Sequence, residues 1–139
     1  MFATRTPLRL SDVVIRAAIV GLALATGYIH LTLGGLLFTL NAVGYFTAAV
    51  AMVVPLALAV RFRWFIRLGL MGYAVTTIIA WAIQGPYFQL AYIAKGVEIT
   101  LIGLITVDVF RVYGSPVGLV RSAVASVFGS GNRGGMAAA

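Results

Sequence analysis

The sequence predicts an all-α fold, a four-helix bundle embedded in a bilayer. Three observations predict it. Hydrophobic residues make up 62% of the 139-residue chain and charged residues only 9%, and the mean hydropathy is +1.06. A globular domain averages about 45–50% apolar and about 25% charged, and a water-soluble chain this short could not hide so much apolar surface. The apolar residues gather into four stretches near the roughly 20 residues that span hydrocarbon. None of these stretches alternates apolar and polar residues as a membrane β-strand does. A helix satisfies its own backbone hydrogen bonds, which lipid demands.

The first span is read over 13–33, "VVIRAAIVGLALATGYIHLTL", after a polar segment at 1–12. Gly34-Gly35 is a tight break, so the second span, 36–60, folds back as a hairpin. Pro55 falls inside that span and predicts a kink. "RFRWFIR" is read as the connection to the third span, 68–85, and "GPYFQLA" as the connection to the fourth, 92–113. Together 13–113 form the membrane domain, and 114–139 form a tail. In that tail Ser115 and Pro116 read as an N-cap and a first helical residue. Val117, Val120, Val124, Val127 and Phe128 share a helical face, which predicts a short helix lying on the membrane surface. The last eleven residues are rich in Gly and Ala and are read as disordered. No internal repeat is visible. "ALA" at Ala23–Ala25 resembles a signal-peptide cleavage site, but apolar sequence continues past it and cleavage would leave an odd number of spans.

The arginines set the threading. Arg5, Arg9 and Arg16 lie before or inside the first span, Arg61, Arg63 and Arg67 between the second and third, and Arg111, Arg121 and Arg133 at or after the end of the fourth. Four spans put all nine on one side and leave Lys95 on the other. The positive-inside rule makes the arginine side cytoplasmic, so both termini are expected inside a bacterial inner membrane. The net charge of +7 comes from basic residues scattered singly through apolar sequence, which argues against nucleic acid as a partner. There is no cysteine, hence no disulfide, thiolate metal site or thiol redox chemistry.

Against this apolar background a few polar residues stand out. His30 lies about 6 Å below the glycine turn and Asn41 about 9 Å below it on the partner helix, at about 1.5 Å per residue. Gln84 ends the third span on the same side. Lys95 and Glu98, three apart, enter the fourth. Ionisable groups within a bilayer turn toward a partner or a bundle interior. The bland reading pairs Lys95 with Glu98 and ties the first hairpin by a His30–Asn41 hydrogen bond. The functional reading makes the same residues a ligand, proton or ion site. On the opposite side Asp12 with Arg16, and Asp108 with Arg111, read as interfacial ion pairs. Ala17, Gly21 and Ala25 form a small-residue run on the first helix, continued by Gly44 and Ala48 on the second. Gly69 with Gly72, and Gly96 with Thr100, extend the theme, and such runs allow close helix packing.

One histidine does not make a bis-histidine haem site. His30 with Met52, Met71 and Met136 supplies too few ligands for copper or zinc. No cofactor and no metal are therefore expected. No phosphate loop, nucleophile elbow or metalloprotease motif appears.

"GYIHLTLGGLLFTLNAVGYFTAAVAMVVP", "RWFIRLGLMGYAVTTIIAWAIQGPY" and "LAYIAKGVEITLIGLI" resemble small four-helix bacterial membrane proteins of unassigned function, over roughly 27–105. The shared texture is the His-x-x-x-Gly-Gly turn, the helix-two Asn and the Lys-x-x-Glu pair. In helix count the chain is also similar to DoxX-like proteins. Neither resemblance implies a catalytic role. The sequence therefore points first to a non-enzymatic accessory or scaffold subunit, partnered by lipid and by other membrane subunits or itself. Its alternatives are an outer-leaflet quinone, lipid or proton-binding redox accessory built on His30, Asn41, Lys95 and Glu98, and a small oligomeric transporter.

Overall fold

The computed structural model describes residues 9–129, which form six helices and no strand: α1 (Leu10–Leu33), α2 (Leu36–Val53), α3 (Ala57–Arg61), α4 (Arg63–Gln84), α5 (Gln89–Tyr113) and α6 (Pro116–Phe128). Residues 1–8 and most of the Gly- and Ala-rich tail lie outside the described residues. Four of the helices, α1, α2, α4 and α5, are long and apolar enough to cross a membrane.

The turns follow local chemistry. Gly34 and Gly35 carry φ of 70° and 85°, values that a Cβ disfavours, and they reverse the chain between α1 and α2. Val54 is extended, at φ −60° and ψ 127°, because the Pro55 ring excludes the helical region for the residue before it. The expected kink in a 36–60 helix is thus a full break, with α2 ending at Val53 and the short α3 following. "RFRWFIR" is not a loop. It is helical apart from a turn at Phe62, so α4 starts at Arg63 rather than Leu68. This start places Arg67 inside the helix, on the buried face with Leu70, Ala74 and Thr77. Ser115 caps α6 by accepting a hydrogen bond from the Gly118 N–H at 3.0 Å.

Helix α1 packs against α2 and α5, and α4 packs against α5 and α2. The bundle therefore runs α1–α2–α4–α5 around its axis, with α1 and α4 on a diagonal. Its core holds Ile19, Ala23, Tyr45, Ala49, Met52, Leu70, Ala74, Leu101 and Ile105. The outside is apolar as well, with Leu24, Val43, Val50, Ile79, Ile99 and Val107 all exposed. Helices apolar on both faces occur in the cores of large proteins and in membrane spans. On α6 the valine face (Val117, Val120, Val124, Val127) and Phe128 turn outward, while Leu119 is buried. Trp64 Nε1 donates to Ser126 Oγ at 2.8 Å, and Arg61 Nε donates to the Ser126 carbonyl, so α6 is held against α3 and α4.

The small-residue run on α1 does not face the bundle. Ala17, Gly21 and Ala25 are exposed, and a Cβ at Gly21 would meet nothing within 4 Å. The buried register lies two residues on, at Ile19, Ala23 and Gly27. At 3.6 residues per turn, two positions rotate a side chain by about 200°, to the opposite face. A Cβ on Gly27 would stand 2.8 Å from the Phe46 ring. On α2 the close approach is at Gly44, where a Cβ would stand 2.6 Å from the Tyr73 hydroxyl, and half-buried Ala48 packs on the core beside it. Gly69, Gly72 and Gly96 face open space, and Thr100 is exposed.

A detergent melt separates these faces. Gly44→Leu should lower stability by about 1–3 kcal/mol, the usual cost of overpacking, because Tyr73 is fixed by Asn41 and Tyr45. Gly21→Leu should melt like the wild type. Equal loss in both variants would contradict the packing described here.

Candidate functional site

Helix α1 carries Thr26 and His30 one turn apart on its buried face, and α5 carries Lys95 and Glu98 on its own. The α1–α5 contact brings the four together. Glu98 is 0% exposed, His30 3% and Lys95 7%. Lys95 Nζ lies 2.7 Å from Glu98 Oε2 and donates again to the Thr77 carbonyl at 3.3 Å. Thr26 Oγ1 donates to Glu98 Oε1 at 3.2 Å. His30 Nδ1 donates to the Thr26 carbonyl at 2.8 Å, and His30 Nε2 stands 3.7 Å from Glu98 Oε1. A carbonyl oxygen only accepts, so the proton on Nδ1 is fixed. Nε2 then faces the Glu98 carboxylate.

Tyrosines and a threonine from α2 and α4 close the site. The Thr77 hydroxyl donates to the Ala74 carbonyl at 2.9 Å, which leaves its oxygen to accept from Tyr45 at 3.1 Å. The Tyr45 ring lies 5.7 Å from the His30 ring and 5.0 Å, edge-on, from Tyr73. Tyr73 donates to Asn41 Oδ1 at 2.7 Å. Asn41 is thus tied to α4, not to His30, and the expected hairpin hydrogen bond is replaced by one across the bundle. The reason is geometric. Tyr73 reaches over Gly44, whose missing side chain leaves it room.

These groups border a cleft of about 250 Å³ at the glycine-turn end, lined by His30, Phe38, Asn41, Tyr73, Trp81 and Lys95 among others. Gln84 is exposed and lines the same cleft. His30, Asn41, Gln84 and Lys95 thus all line one space, with Glu98 buried behind Lys95. The chain matches no family model, curated protein or solved structure. The functional reading therefore rests on geometry. Among the described residues no group of three His, Asp or Glu side chains is placed to hold a metal ion.

The other end carries a second buried ion pair. Arg67 Nε lies 2.6 Å from Asp108 Oδ2, with Arg67 2% and Asp108 3% exposed. Arg67 also donates to the Tyr113 hydroxyl at 3.4 Å. The two sequence-local pairs read for this end are not formed. Asp12 binds Arg111, at 2.9 Å, instead of Arg16, and Asp108 binds Arg67 instead of Arg111. Asp108 sits on the buried α5 face with Leu101 and Ile105, where a partner from α4 reaches it. Arg111 is exposed and meets Asp12 on the adjacent α1.

Four contributors carried no warning in the sequence. Thr26, Tyr45, Tyr73 and Thr77 are ordinary residues in apolar helices. The available signal was spacing, since Thr26 is one turn from His30 and Tyr45 one turn from Asn41.

Removing one member of the buried pair strands the other, a loss of about 3–5 kcal/mol. Lys95→Met and Glu98→Gln should each lower the detergent melting temperature sharply, and the double variant should recover part of the loss. Strictly additive losses would show that the two charges do not depend on each other.

Proposed function

We propose that the chain is an integral membrane protein that binds a small amphipathic molecule with a carbonyl or hydroxyl head, such as a quinone, in the cleft beside Lys95. The observation that carries this reading is the buried Lys95–Glu98–His30 constellation at the wall of an apolar cleft. Ligand sites are mostly apolar concavities with a few convergent polar groups, and ionisable groups inside membrane helices mark function by default. Asn41 Oδ1 is occupied by Tyr73, so its amide nitrogen is left to donate. Lys95 uses two of its three N–H groups on Glu98 and Thr77, which leaves a third for a ligand oxygen. The head group would meet these donors, and the tail would leave over Phe38, Leu37 and Trp81.

A second reading is favoured by one observation. The exposed Ala17/Gly21/Ala25 face of α1 is a surface on which another membrane helix could pack closely, as an accessory subunit requires. The transporter reading gains no such support, because the Ile19–Leu70–Ile105 layer fills the interior between the two polar ends. In our reading the arginine-rich end faces the cytoplasm of a bacterial inner membrane, following the positive-inside rule.

Two measurements test this. The chain has two tryptophans, so Trp64→Phe leaves Trp81 as the sole reporter in the cleft. A short-chain quinone should quench it saturably, and Asn41→Leu, which removes a ligand donor, or His30→Phe, which reshapes the cleft wall, should weaken the apparent affinity about tenfold or more. Linear quenching, unchanged by either substitution, would remove the binding reading. For orientation, cysteines at Gly35 and Gly85 should react with an impermeant thiol reagent outside intact cells, while cysteines at Arg63 and Arg121 stay unlabelled. The reverse pattern would invert the threading.

A further inference from the structure

The arginine-rich end holds more cation than it can neutralise. Among the described residues it carries Arg9, Arg16, Arg61, Arg63, Arg67, Arg111 and Arg121 against two carboxylates, Asp12 and Asp108. Both carboxylates are taken, by Arg111 and Arg67. Arg16 and Arg63 share neither. Their Nε atoms are shut off from solvent and have no hydrogen-bond partner among the described residues. The two arginines also interact with each other through their charges, and Arg63 feels Arg67 as well. Arg16 stands one turn from Asp12 on α1 and Arg63 one turn from Arg67 on α4, and α5 binds both Asp12 and Arg67, through Arg111 and Asp108, so the two arginines flank the same end of the bundle.

A donor closed to solvent and left without a partner costs free energy, and each of these two guanidinium groups carries one at its Nε. An anion between them removes the cost. The geometry points to a binding site for a phosphate group, bridged by the guanidinium groups of Arg16 and Arg63 at the mouth of the bundle above the Arg67–Asp108 pair. Guanidinium forks match phosphate oxygens in shape and charge, which favours phosphate over a halide. The same chemistry is offered by the phosphodiester of an anionic lipid and by a soluble phosphate. The outward valine face of α6, beside Trp64 and Arg61, would lie against the acyl chains of a lipid so bound. The lipid source rests on the membrane reading above, whereas the soluble source does not.

The test uses the full chain in a mild, uncharged detergent. Melting is followed with added phosphatidylglycerol, with phosphatidylcholine, and with inorganic phosphate against chloride at equal ionic strength. The variants are Arg16→Gln, Arg63→Gln and, as a charge-matched control on α6, Arg121→Gln. Phosphatidylglycerol should raise the wild-type and Arg121→Gln melting temperatures, and each site substitution should weaken that response about tenfold in lipid concentration, one charge-assisted hydrogen bond. Stabilisation by inorganic phosphate but not by phosphatidylglycerol, lost in the same two variants, would place a soluble phosphate at the site. Equal responses in Arg16→Gln, Arg63→Gln and Arg121→Gln, or no response to either phosphate source, would overturn the site. Should a glutamine variant fail to fold, Arg63→Lys keeps the charge but loses the fork, and a full wild-type response from it would also overturn the site.

Discussion

Glu98 is a carboxylate with no exposed surface in the middle of an apolar bundle, and the glycine-turn end is organised around neutralising it. An isolated ion in such surroundings costs several kcal/mol even after relaxation. Lys95 supplies the opposite charge from the next turn of the same helix. Thr26, from α1, donates to the oxygen that Lys95 leaves free. His30 stands behind Thr26, and the Thr77 carbonyl holds Lys95 from α4. One buried charge thus enlists α1, α4 and α5, which hydrophobic contact alone would not orient when the surroundings are equally apolar. The Arg67–Asp108 pair repeats the device at the other end of the same α4–α5 seam. Two polar clamps with an apolar middle fix the register of these helices.

The identity of the four long helices was legible because length and hydropathy determine them and little else competes. Their ends were less legible. Pro55 was visible, but its severity depends on the backbone before it, and Val54 goes fully extended. The start of α4 was hidden because "RFRWFIR" is charged and aromatic, which reads as an interface, while the helix tolerates it by burying Arg67 on Asp108.

His30, Lys95 and Glu98 could be picked out because each is rare in apolar sequence. Their depth could be counted from the glycine turn. Partner choice could not. Asp12 with Arg16 and Asp108 with Arg111 satisfy helical spacing, yet cross-helix neighbours outcompete them, because side-by-side helices bring whole side chains into contact. The small-residue face of α1 failed for a related reason. Ala17/Gly21/Ala25 and Ile19/Ala23/Gly27 are both plausible stripes, and only the buried position of Thr26 and His30, in register with the second, decides between them. Thr26 is three residues past Ala23 and His30 three past Gly27, so the polar cluster and the packing stripe are one face.

The break at Pro55 has a consequence for the thickness of the surroundings. Helix α2 has 18 residues and α5 has 25, so they differ by about 10 Å in length at 1.5 Å per residue. Backbone groups freed at Val54–Leu56 cannot remain in hydrocarbon without partners, so in a bilayer this break would mark the level where water or head groups begin. The α2 side would then offer about 27 Å of hydrophobic height, a little under an average bilayer core, while α5 offers more. Such an uneven rim would thin the lipid on one flank or tilt the whole bundle, at a cost of fractions of a kcal/mol per ångström. In a bilayer the proline would therefore bear on which lipid thickness, and which lipid neighbours, suit the bundle.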